Sequence, residues 1–462
     1  MKITVLNGSP KGEISVTMQY ARYMEQEFPQ HTFQYVHVSY DIRTLEENTS
    51  EFLRVIDIIR NSDGIIWATP TFFFLVHSNY KRFIELIRER KAEDAFSGKY
   101  AAILTSSIHI YDNVTHDYLT AICEDLNMLC TGYFSASMNE LIQKSQRDRL
   151  YLFAMDFFNA ITEKIPIAKM YQPLQYNSNR YIPGESACQV NSSGKKILLL
   201  TDCPEADSNL GKMVSRLSNA FTESVEVIDV NRMDIKGGCL GCVHCGFDNQ
   251  CVYADTDDIF TVYNKKIREA DIIILCLRIV DRYFSSRWKM FFDRKFLNTH
   301  QPQMINKQVG YIVSGPLSQL PQLREIIRFQ TEIDRANLAG IVTDEHEKSE
   351  DIDSLIDDFA KRIVFYANQK YRRPYTFLVE GSGKICNDLV WGKWRFIYRG
   401  DHRFYKAHEM YGYGKSKRKT SRSILNFLLT MLCRIPGVKM YIWKNYSEPK
   451  SDPFDYLDLL EN

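Results

Sequence analysis

Four cysteines lie within thirteen residues of this chain, at Cys239, Cys242, Cys245 and Cys251. Their spacing, C-x2-C-x2-C-x5-C, lets three thiolates fold around one metal centre while the fourth returns after a short loop. Bacterial ferredoxins use a similar run of cysteines to hold a [4Fe–4S] cluster. Structural zinc sites more often use two separated C-x2-C pairs, or cysteines with histidines. The spacing therefore favours an iron–sulfur cluster, with a zinc site or free thiols as alternatives.

The composition of the 462 residues is that of an ordinary globular protein. Apolar residues make up 45% and charged residues 25%, and the net charge is +1. Such a balance indicates no broad electrostatic attraction to nucleic acid, which we do not expect as a partner. The N-terminal sequence MKITVLNGSP lacks the longer apolar core of a signal peptide. We therefore expect a cytoplasmic protein whose thiols stay reduced.

Strand and helix signals alternate along the first third of the chain. Apolar runs that end in turn residues predict five strands, and helical periodicity fills the intervals between them. The predicted strands are residues 2–8, 33–38, 64–70, 100–107 and 130–137. Five strands that alternate with helices predict a parallel sheet with helices on both faces, which is an α/β fold.

The same series of signals then occurs a second time. KILLLTDCP (196–204) matches KITVLNGSP (2–10), and SSRWKMFFDR (285–294) matches HSNYKRFIEL (77–86). A repeat of about 190 residues is too long for a solenoid and indicates a duplicated domain. We predict a first domain at 1–168, a linker at 169–194 rich in Asn, Ser, Pro and Gly, a second domain at 195–370 and a C-terminal extension at 371–462.

The loop after the first strand, NGSPKGEISVT (7–17), has the composition of a phosphate site. Gly8 and Gly12 permit tight turns, and a helix begins at once, so its free N–H groups and positive dipole end face the loop. Hydroxyl donors and one positive charge come from Ser9, Ser15, Thr17 and Lys11. This pattern suits a phosphate monoester dianion, although an ordinary strand–helix turn stays an alternative.

The loops after the third and fourth strands add an apolar surface and further hydroxyl groups. In TPTFFFLVHSNYK (69–81), three phenylalanines follow a buried strand, and a flat ring such as isoalloxazine could use them while Thr71 and backbone N–H groups reach its polar edge. TSSIHIYDN (105–113) brings small hydroxyls to the same end of the sheet. We interpret His109 as a surface histidine rather than a catalytic one.

With these motifs the sequence resembles the NAD(P)H-dependent FMN reductase family, and its second half resembles the iron–sulfur flavoproteins of anaerobes. The resemblance implies two tandem flavodoxin-like, doubly wound parallel five-stranded sheets, followed by the C-terminal extension. It also implies FMN and a [4Fe–4S] cluster as cofactors and NAD(P)H as electron donor. The implied FMN contacts are Ser9, Lys11, Ser15, Val16 and Thr17 in the first loop, Pro70, Thr71, Phe72 and Phe73 in the second, and Ser106, Ser107, Ile108 and His109 in the third.

The two halves depart from the family pattern in complementary ways. The first loop of the second half, TDCPEADSNLG (201–211), carries the carboxylates of Asp202, Glu205 and Asp207, which would repel a phosphate. The first half has no cysteine between its second strand and its next helix, in SYDIRTLEENTS (39–50). We therefore hypothesise a pseudo-dimer within one chain that keeps one flavin and one cluster. It predicts that the Cys239 loop lies near Phe72 and His109.

The expected function is that of an FMN-dependent NAD(P)H oxidoreductase that passes electrons between flavin and cluster and on to a small-molecule or protein acceptor. We assign no catalytic acid or base, because FMN itself supplies the chemistry. The alternatives are a non-enzymatic electron carrier or redox sensor that docks a protein partner, and a zinc-stabilised structural protein. Further homo-oligomerisation stays open.

The C-terminal extension has a basic run, KSKRKTSR (415–422), beside an apolar helix. Such a pair could touch an anionic membrane surface. We favour a solvated loop followed by a helix that packs on the second domain, and so expect no membrane contact.

Overall fold

The structure is a computed structural model that describes residues 1–462 except 138–139, 186, 204, 412–419 and 448–462, and the side chains of 420–423 and 444–447 are likewise not described. The described chain forms two compact units. The first comprises Met1–Leu174 together with Gly238–Gly241, and the second comprises Gln175–Gly237 and Cys242–Ser447.

The first unit is a single parallel sheet with helices between its strands. Its strands are β1 Lys2–Asn7, β2 Thr32–Val36, β3 Gly64–Pro70, β4 Tyr100–Ser107 and β5 Leu129–Ser137. Its helices are α1 Val16–Glu27, α2 Ile42–Glu47, α3 Thr49–Arg60, α4 Ser78–Glu89, α5 Asp112–Asp125 and α6 Lys144–Glu163. The sequence pattern predicted these strands to within one or two residues at most ends.

The strand order of this sheet is β2-β1-β3-β4-β5, and every neighbouring pair is parallel. The order reverses between β1 and β3, and flavodoxin, which has this order, binds its FMN at that point. β3 is buried on both faces because helices cover both sides of the sheet, which explains its continuous apolar sequence GIIWAT. The loops that follow β1, β3 and β4 therefore emerge together at the carboxyl edge of the sheet.

The second unit contains a second sheet and the C-terminal extension. Its strands are β6 Ile197–Thr201, β7 Glu226–Asp229, β8 Ile272–Arg278, β9 Gln308–Ser314 and β10 Asn337–Thr343. Its helices up to residue 368 are α7 Asn209–Asn219, α8 His244–Asp248, α9 Ile259–Thr261, α10 Ser286–Arg294, α11 Pro321–Ile333 and α12 Ser349–Asn368. Those of the extension are α13 Phe377–Gly392, α14 Arg399–Ala407, α15 Thr420–Leu432 and α16 Pro436–Ser447.

The second sheet repeats the first. Read from its β7 edge, its order is β7-β6-β8-β9-β10, again all parallel. The last strand of each sheet has one extra residue, Thr131 in β5 and Ala339 in β10, where the register shifts against the neighbouring strand. These features confirm two tandem flavodoxin-like sheets, as the sequence repeat predicted.

A buried ion pair also occurs at corresponding places in the two units. Lys81 and Glu85 pair on α4 with 2.7 Å between Nζ and Oε1, and Lys289 and Asp293 pair on α10. In each case the lysine lies four residues after the N-cap residue and is fully buried. The duplication is therefore visible in side-chain contacts as well as in strand order.

The C-terminal extension is more helical than its sequence indicated. The sequence pattern assigned no element before the basic run, where α13 and α14 lie. Val390, Tyr405 and Cys433 are buried in one apolar cluster with Phe247 of α8, so these helices pack on the second unit. Within the described residues no single helix is long and apolar enough to cross a membrane, and one pair, Ile424–Leu432 with Pro436–Trp443, meets that test only together, with a bend of 109° between them.

Candidate functional site

Hydrogen bonds within the β1–α1 loop of the first unit fix its conformation. The Asn7 side chain is buried, donates to the carbonyl oxygen of Gly12 at 2.9 Å and accepts from the N–H of Ser9 at 3.0 Å. Gly8 lies so close to β3 that a Cβ there would meet Thr69 Oγ1 at 2.7 Å. Gly12 has a φ of +60°, a conformation that glycine adopts without strain. The two glycines that the sequence singled out are thus required by close approach and by backbone conformation.

Three predicted phosphate contacts lie at the start of α1. Ser15 is its N-cap and accepts the N–H of Met18 at 3.3 Å, while Val16 and Thr17 form the first turn, whose N–H groups have no acceptor within the helix. Ser9 contributes a buried hydroxyl on the other side of the loop. Amide donors, hydroxyls and the positive end of the helix dipole thus belong to one short segment, which fits a phosphate group.

A strained tight turn follows β3. Phe72 and Leu75 exchange both backbone hydrogen bonds, and the two residues between them, Phe73 and Phe74, have φ of 43° and 73°. Positive φ at both central positions is typical of a type I′ turn, in which glycine or asparagine is usual. Bulky residues in this region cost about 1–3 kcal/mol each, and such strain occurs most often at functional sites. The three phenylalanine side chains are only partly buried, so they present apolar surface at the edge of the sheet.

Thr71 connects this turn to the loop after β4. Its N–H donates to the carbonyl oxygen of Ser106 at 2.9 Å, and the hydroxyl groups of Ser106 and Thr17 lie 2.7 Å apart. The Thr71 hydroxyl oxygen is itself buried and has no hydrogen-bond partner among the described residues. A buried hydroxyl without a hydrogen-bond partner lowers the stability of the fold, so we expect a polar ligand atom to bond the Thr71 hydroxyl. Hydrogen bonds therefore link the predicted contacts of the three loops, and the Thr71 hydroxyl lies among them.

His109 lies on the rim of this place in a left-handed conformation, with φ of 59°. Its Nδ1 lies 3.0 Å from Asp112 Oδ2, and its Nε2 lies 3.3 Å from Glu140 Oε1. Burial by itself lowers the pKa of His109, but hydrogen bonds to these two carboxylates raise it above its usual value overall. The backbone N–H of His109 donates to the Ser107 hydroxyl at 2.8 Å. The side chain is 46% exposed, in agreement with the expected surface histidine.

The segment Gly238–Gly241 belongs to the first unit and packs on the same loops. The imidazole Nε2 of His77, which is buried at the N-cap of α4, lies 2.8 Å from the carbonyl oxygen of Cys239. A Cβ on Gly241 would lie 3.5 Å from Phe72 Cε2 and 3.6 Å from Lys11 Cε. This part of the cysteine loop therefore lies beside the β1 and β3 loops.

The other three cysteines of the loop lie in the second unit. The Cys245 thiol is buried and lies 3.3 Å from the carbonyl oxygen of Phe296, and the indole N–H of Trp443 donates to the Cys242 carbonyl oxygen at 3.1 Å. Cys251 is partly buried. Throughout the described ranges, no three His, Cys, Asp or Glu side chains are arranged so that they could hold a metal ion. The [4Fe–4S] ligand set stays a prediction from the cysteine spacing.

The corresponding β6–α7 loop of the second unit is closed. A Cβ on Gly211, in the first turn of α7, would lie 2.5 Å from the carbonyl oxygen of Glu205 and 2.7 Å from that of Ala206. Asp202 takes the place of Gly8 and is buried, with Oδ2 accepting from the Ser285 hydroxyl at 2.8 Å. Burial raises the pKa of Asp202, although that hydrogen bond opposes the rise. The loop thus presents carbonyl and carboxylate oxygens where the first unit presents donors.

A polar segment of the predicted linker covers this edge of the second unit. We call residues 175–184 the strap. Tyr176 OH donates to the carbonyl oxygens of Val280 and Asp281, both at 3.4 Å, in the loop after β8. The strap also contacts the loop after β9 through Gln175–Gln319 and the residue after β10 through Asn177–Asp344. It contacts the start of α7 through Arg180–Asp207 and Tyr181–Asn209. The strap therefore crosses the second sheet at the edge that forms the candidate flavin site in the first.

Sequence reasoning missed the strap and two residues of the first unit. Asn7 could have been identified, because it is the last residue of a strand before the Gly8–Ser9 turn. A short amide side chain at such a position commonly hydrogen-bonds the backbone two residues further along the chain. His77, four residues before Lys81, stands where the second half has Ser285, so the repeat alignment identified the position without its role. The polar strap carried no periodic signal.

Comparisons with known proteins agree with this fold. The sequence profile described as NADPH-dependent FMN reductase matches residues 1–140 and again residues 195–332. Curated proteins show no significant match to the chain.

Two solved structures are each similar to about a third of this chain. An FMN-dependent NADH-azoreductase from Bacillus anthracis in complex with FMN is 14% identical over 36% of this chain and 99% of its own, with a TM-score of 0.27. The flavoenzyme NAD(P)H:(acceptor) oxidoreductase from Paracoccus denitrificans is 15% identical over 34% and 97%, with a TM-score of 0.28.

The two profile matches together span more than half of the chain, one on each sheet. The chain therefore belongs to the NADPH-dependent FMN reductase family, and it is an FMN-dependent NAD(P)H oxidoreductase.

Proposed function

We propose that the chain holds one FMN, in the first unit, and passes electrons from NAD(P)H to a small-molecule or protein acceptor. The observation that carries this proposal is the buried Thr71 hydroxyl without a partner, beside the strained turn at Phe73 and Phe74. When bound, FMN supplies the capacity to accept a hydride and to release electrons singly or in pairs.

The three loops would bind different parts of FMN. The α1 N-terminus with Ser9, Lys11, Ser15, Val16 and Thr17 would hold the phosphate. Pro70, Thr71, Phe72 and Phe73 would lie along the ring, with Thr71 as a donor to its polar edge and the aromatic side chains excluding water. Ser106, Ser107, Ile108 and His109 would close the remaining side. No side chain is assigned the role of acid or base.

The second unit would bind no flavin. Its β6–α7 loop is folded onto the start of α7, Asp202 occupies the position of Gly8, and the strap covers the loops that would receive the ring. Introducing a phosphate dianion there would require the loop to open and the carboxylates of Asp202 and Glu205 to be neutralised. We therefore propose one FMN per chain.

A matched pair of N-cap variants tests this assignment. Ser15 caps α1 and Ser208 caps α7, each through its hydroxyl. Aspartate is also a good N-cap, so Ser15→Asp and Ser208→Asp should both fold. We expect the purified wild type to carry one flavin per chain, Ser15→Asp to carry almost none because its carboxylate repels the phosphate, and Ser208→Asp to match the wild type. Two flavins per chain, or flavin loss in Ser208→Asp alone, would contradict the proposal.

A [4Fe–4S] cluster on Cys239, Cys242, Cys245 and Cys251 is a separate proposal, supported by the cysteine spacing. Among the described residues no group of three or more potential metal ligands is found, so we derive no electron-transfer step through a cluster. The test is iron, acid-labile sulfide and zinc content after anaerobic purification. About four irons per chain, lost in Cys245→Ser, would support the cluster. Zinc without iron, or no metal, would reject it.

The rival function is a non-enzymatic electron carrier or redox sensor. Steady-state NAD(P)H oxidation with a quinone or ferricyanide acceptor distinguishes the two, because an enzyme turns over many times per flavin and a carrier does not. We also propose a cytoplasmic location, where the cysteines would stay reduced. Fractionation of the source cells tests this proposal.

A further inference from the structure

Helices α15 and α16 and the short connection between them expose large apolar side chains. Nine of them are 47–66% exposed, namely Ile424, Leu425, Phe427, Leu428, Met431, Leu432, Ile435, Met440 and Tyr441. Single exposed apolar residues are common on protein surfaces, but a contiguous set of this size marks an interaction site.

The inner side of α15 is formed by smaller or more polar residues. Asn426 is 5% exposed and donates to the carbonyl oxygen of Gly392 at 3.1 Å, and Cys433 is 1% exposed within the cluster that includes Val390. A helix that packs on a domain in water normally buries its large apolar side chains and exposes its polar ones. Here that order is reversed, so the outward face suits an apolar environment.

The sequence that contains these helices is strongly basic. Residues 410–447 contain eight lysines and arginines and no aspartate or glutamate. Five of the eight, Lys415, Lys417, Arg418, Lys419 and Arg422, precede the apolar residues of α15 in sequence. The chain as a whole has a net charge of +1, so this stretch is an exception within it. A partner should therefore combine negative charge with an apolar interior.

Although the sequence alone led us to expect no membrane contact, we propose that α15 and α16 dock on an anionic lipid surface. The exposed apolar side chains would enter the boundary between headgroups and acyl chains, and the basic residues would lie against the lipid phosphates. A second copy of this chain would cover the apolar face but would bring two basic stretches together. A nucleic acid would match the charge but leave the apolar side chains in water.

The helices would lie in the membrane surface and not cross it. Neither helix passes the length and hydropathy test alone, and the bend of 109° between them suits two short segments that rest in one plane. The proposal assigns a partner to the C-terminal extension and is independent of how many flavins or metal ions the chain holds.

Vesicle flotation of the full-length, flavin-loaded protein tests the proposal. We expect binding to phosphatidylcholine vesicles that contain phosphatidylserine, and little binding to phosphatidylcholine alone. Phe427→Asp should lower the partition coefficient by about tenfold or more, because it places a carboxylate in the apolar face. Leu53→Asp is the matched control, since Leu53 is an exposed apolar side chain on α3 of the first unit, and it should bind like the wild type. Flavin content and the melting temperature should be the same in both variants.

A second variant separates the electrostatic part from the apolar part. Lys417→Glu with Lys419→Glu should also weaken binding by about tenfold or more, and the remaining binding should depend less on salt.

Three results would overturn the proposal. The first is equal binding by the wild type and Phe427→Asp, or no binding by either. The second is a wild-type dimer in sedimentation velocity that Phe427→Asp dissociates, which would make a second copy the occupant. The third is tight binding of a nucleic acid oligomer, unaffected by Phe427→Asp, with no binding to vesicles.

Discussion

The imidazole Nε2 of His77 lies 2.8 Å from the backbone carbonyl oxygen of Cys239, a residue 162 positions away in the chain. The Nδ1 of the same ring accepts the N–H of Asn79 at 3.2 Å and so caps α4. Because Nδ1 accepts, Nε2 carries the proton that bonds Cys239. His77 thus follows the Phe72–Leu75 turn, caps α4 and holds the segment Gly238–Gly241 through a hydrogen bond.

Replacing His77 by asparagine should separate these roles. Asparagine is a good N-cap and should preserve α4, but its side chain is too short to reach Cys239. We expect amide hydrogen exchange to accelerate at Gly238–Gly241 while the amides of α4 keep their protection. His77→Ala, which also loses the cap, should accelerate exchange in both regions. Unchanged exchange at Gly238–Gly241 in His77→Asn would show that the hydrogen bond does not hold this segment.

Removing the Thr17 hydroxyl should weaken FMN binding. Thr17→Val keeps the side-chain shape but removes the hydroxyl that lies 2.7 Å from that of Ser106, between the first and third flavin loops. The Thr17 hydroxyl is also a predicted donor to the FMN phosphate. Loss of one such hydrogen bond should cost about 1 kcal/mol, so we expect affinity to fall about five- to tenfold in a fluorescence titration of apoprotein with FMN. Thr131→Val is the control, because Thr131 bonds the Ala101 carbonyl oxygen near the opposite end of the sheet. An equal loss in both variants would indicate a general effect on folding.

His109 should titrate above its usual pKa, and Asp112 should be a main cause. Burial lowers the pKa of His109, but its hydrogen bonds to Asp112 and Glu140 more than offset that effect. A histidine with a raised pKa in the folded state adds stability that is fully present below about pH 6.5 and is lost as the pH rises through the folded-state value. In Asp112→Asn, the His109 midpoint measured by NMR should move down.

The stability advantage of the wild type over Asp112→Asn should accordingly shrink as the pH rises from about 6 to 8. Glu140→Gln should lower the midpoint less, since its oxygen lies 3.3 Å from Nε2 whereas the Asp112 oxygen lies 3.0 Å from Nδ1. A midpoint that is the same in the wild type and Asp112→Asn would refute this account.

The buried ion pair of the second unit should tolerate joint replacement better than single replacement. Lys289 and Asp293 are both fully buried, so Lys289→Met leaves a buried carboxylate without its lysine. Breaking such a pair typically costs about 3–5 kcal/mol of unfolding free energy. Lys289→Met with Asp293→Leu should recover most of that loss, as measured by urea unfolding with tryptophan fluorescence. A double variant as unstable as the single one would show that the pair itself stabilises the unit.

Much of the fold could be predicted because the sequence contains the strand signals of the same sheet twice. Apolar runs such as GIIWATP and DIIILCLR identify buried strands, and the turn residues after them place the ligand loops. The elements that were missed carry weaker signals. α2 is a single polar turn, and α13 contains three glycines within an otherwise mixed sequence. The strap depends on hydrogen bonds to residues 27 to 172 positions away, which no local pattern reveals.

The extra residues Thr131 and Ala339 have a consequence for solubility. β5 and β10 are each at the edge of a sheet, where unpaired N–H and C=O groups can recruit another strand. A chain that contains two similar sheets carries similar edges at high effective concentration, which favours mistaken strand pairing during folding. A bulge bends the strand and disrupts the ladder locally, so neither edge offers a regular template for addition. The duplicated irregularity thus makes these two edges poorer templates for pairing with each other.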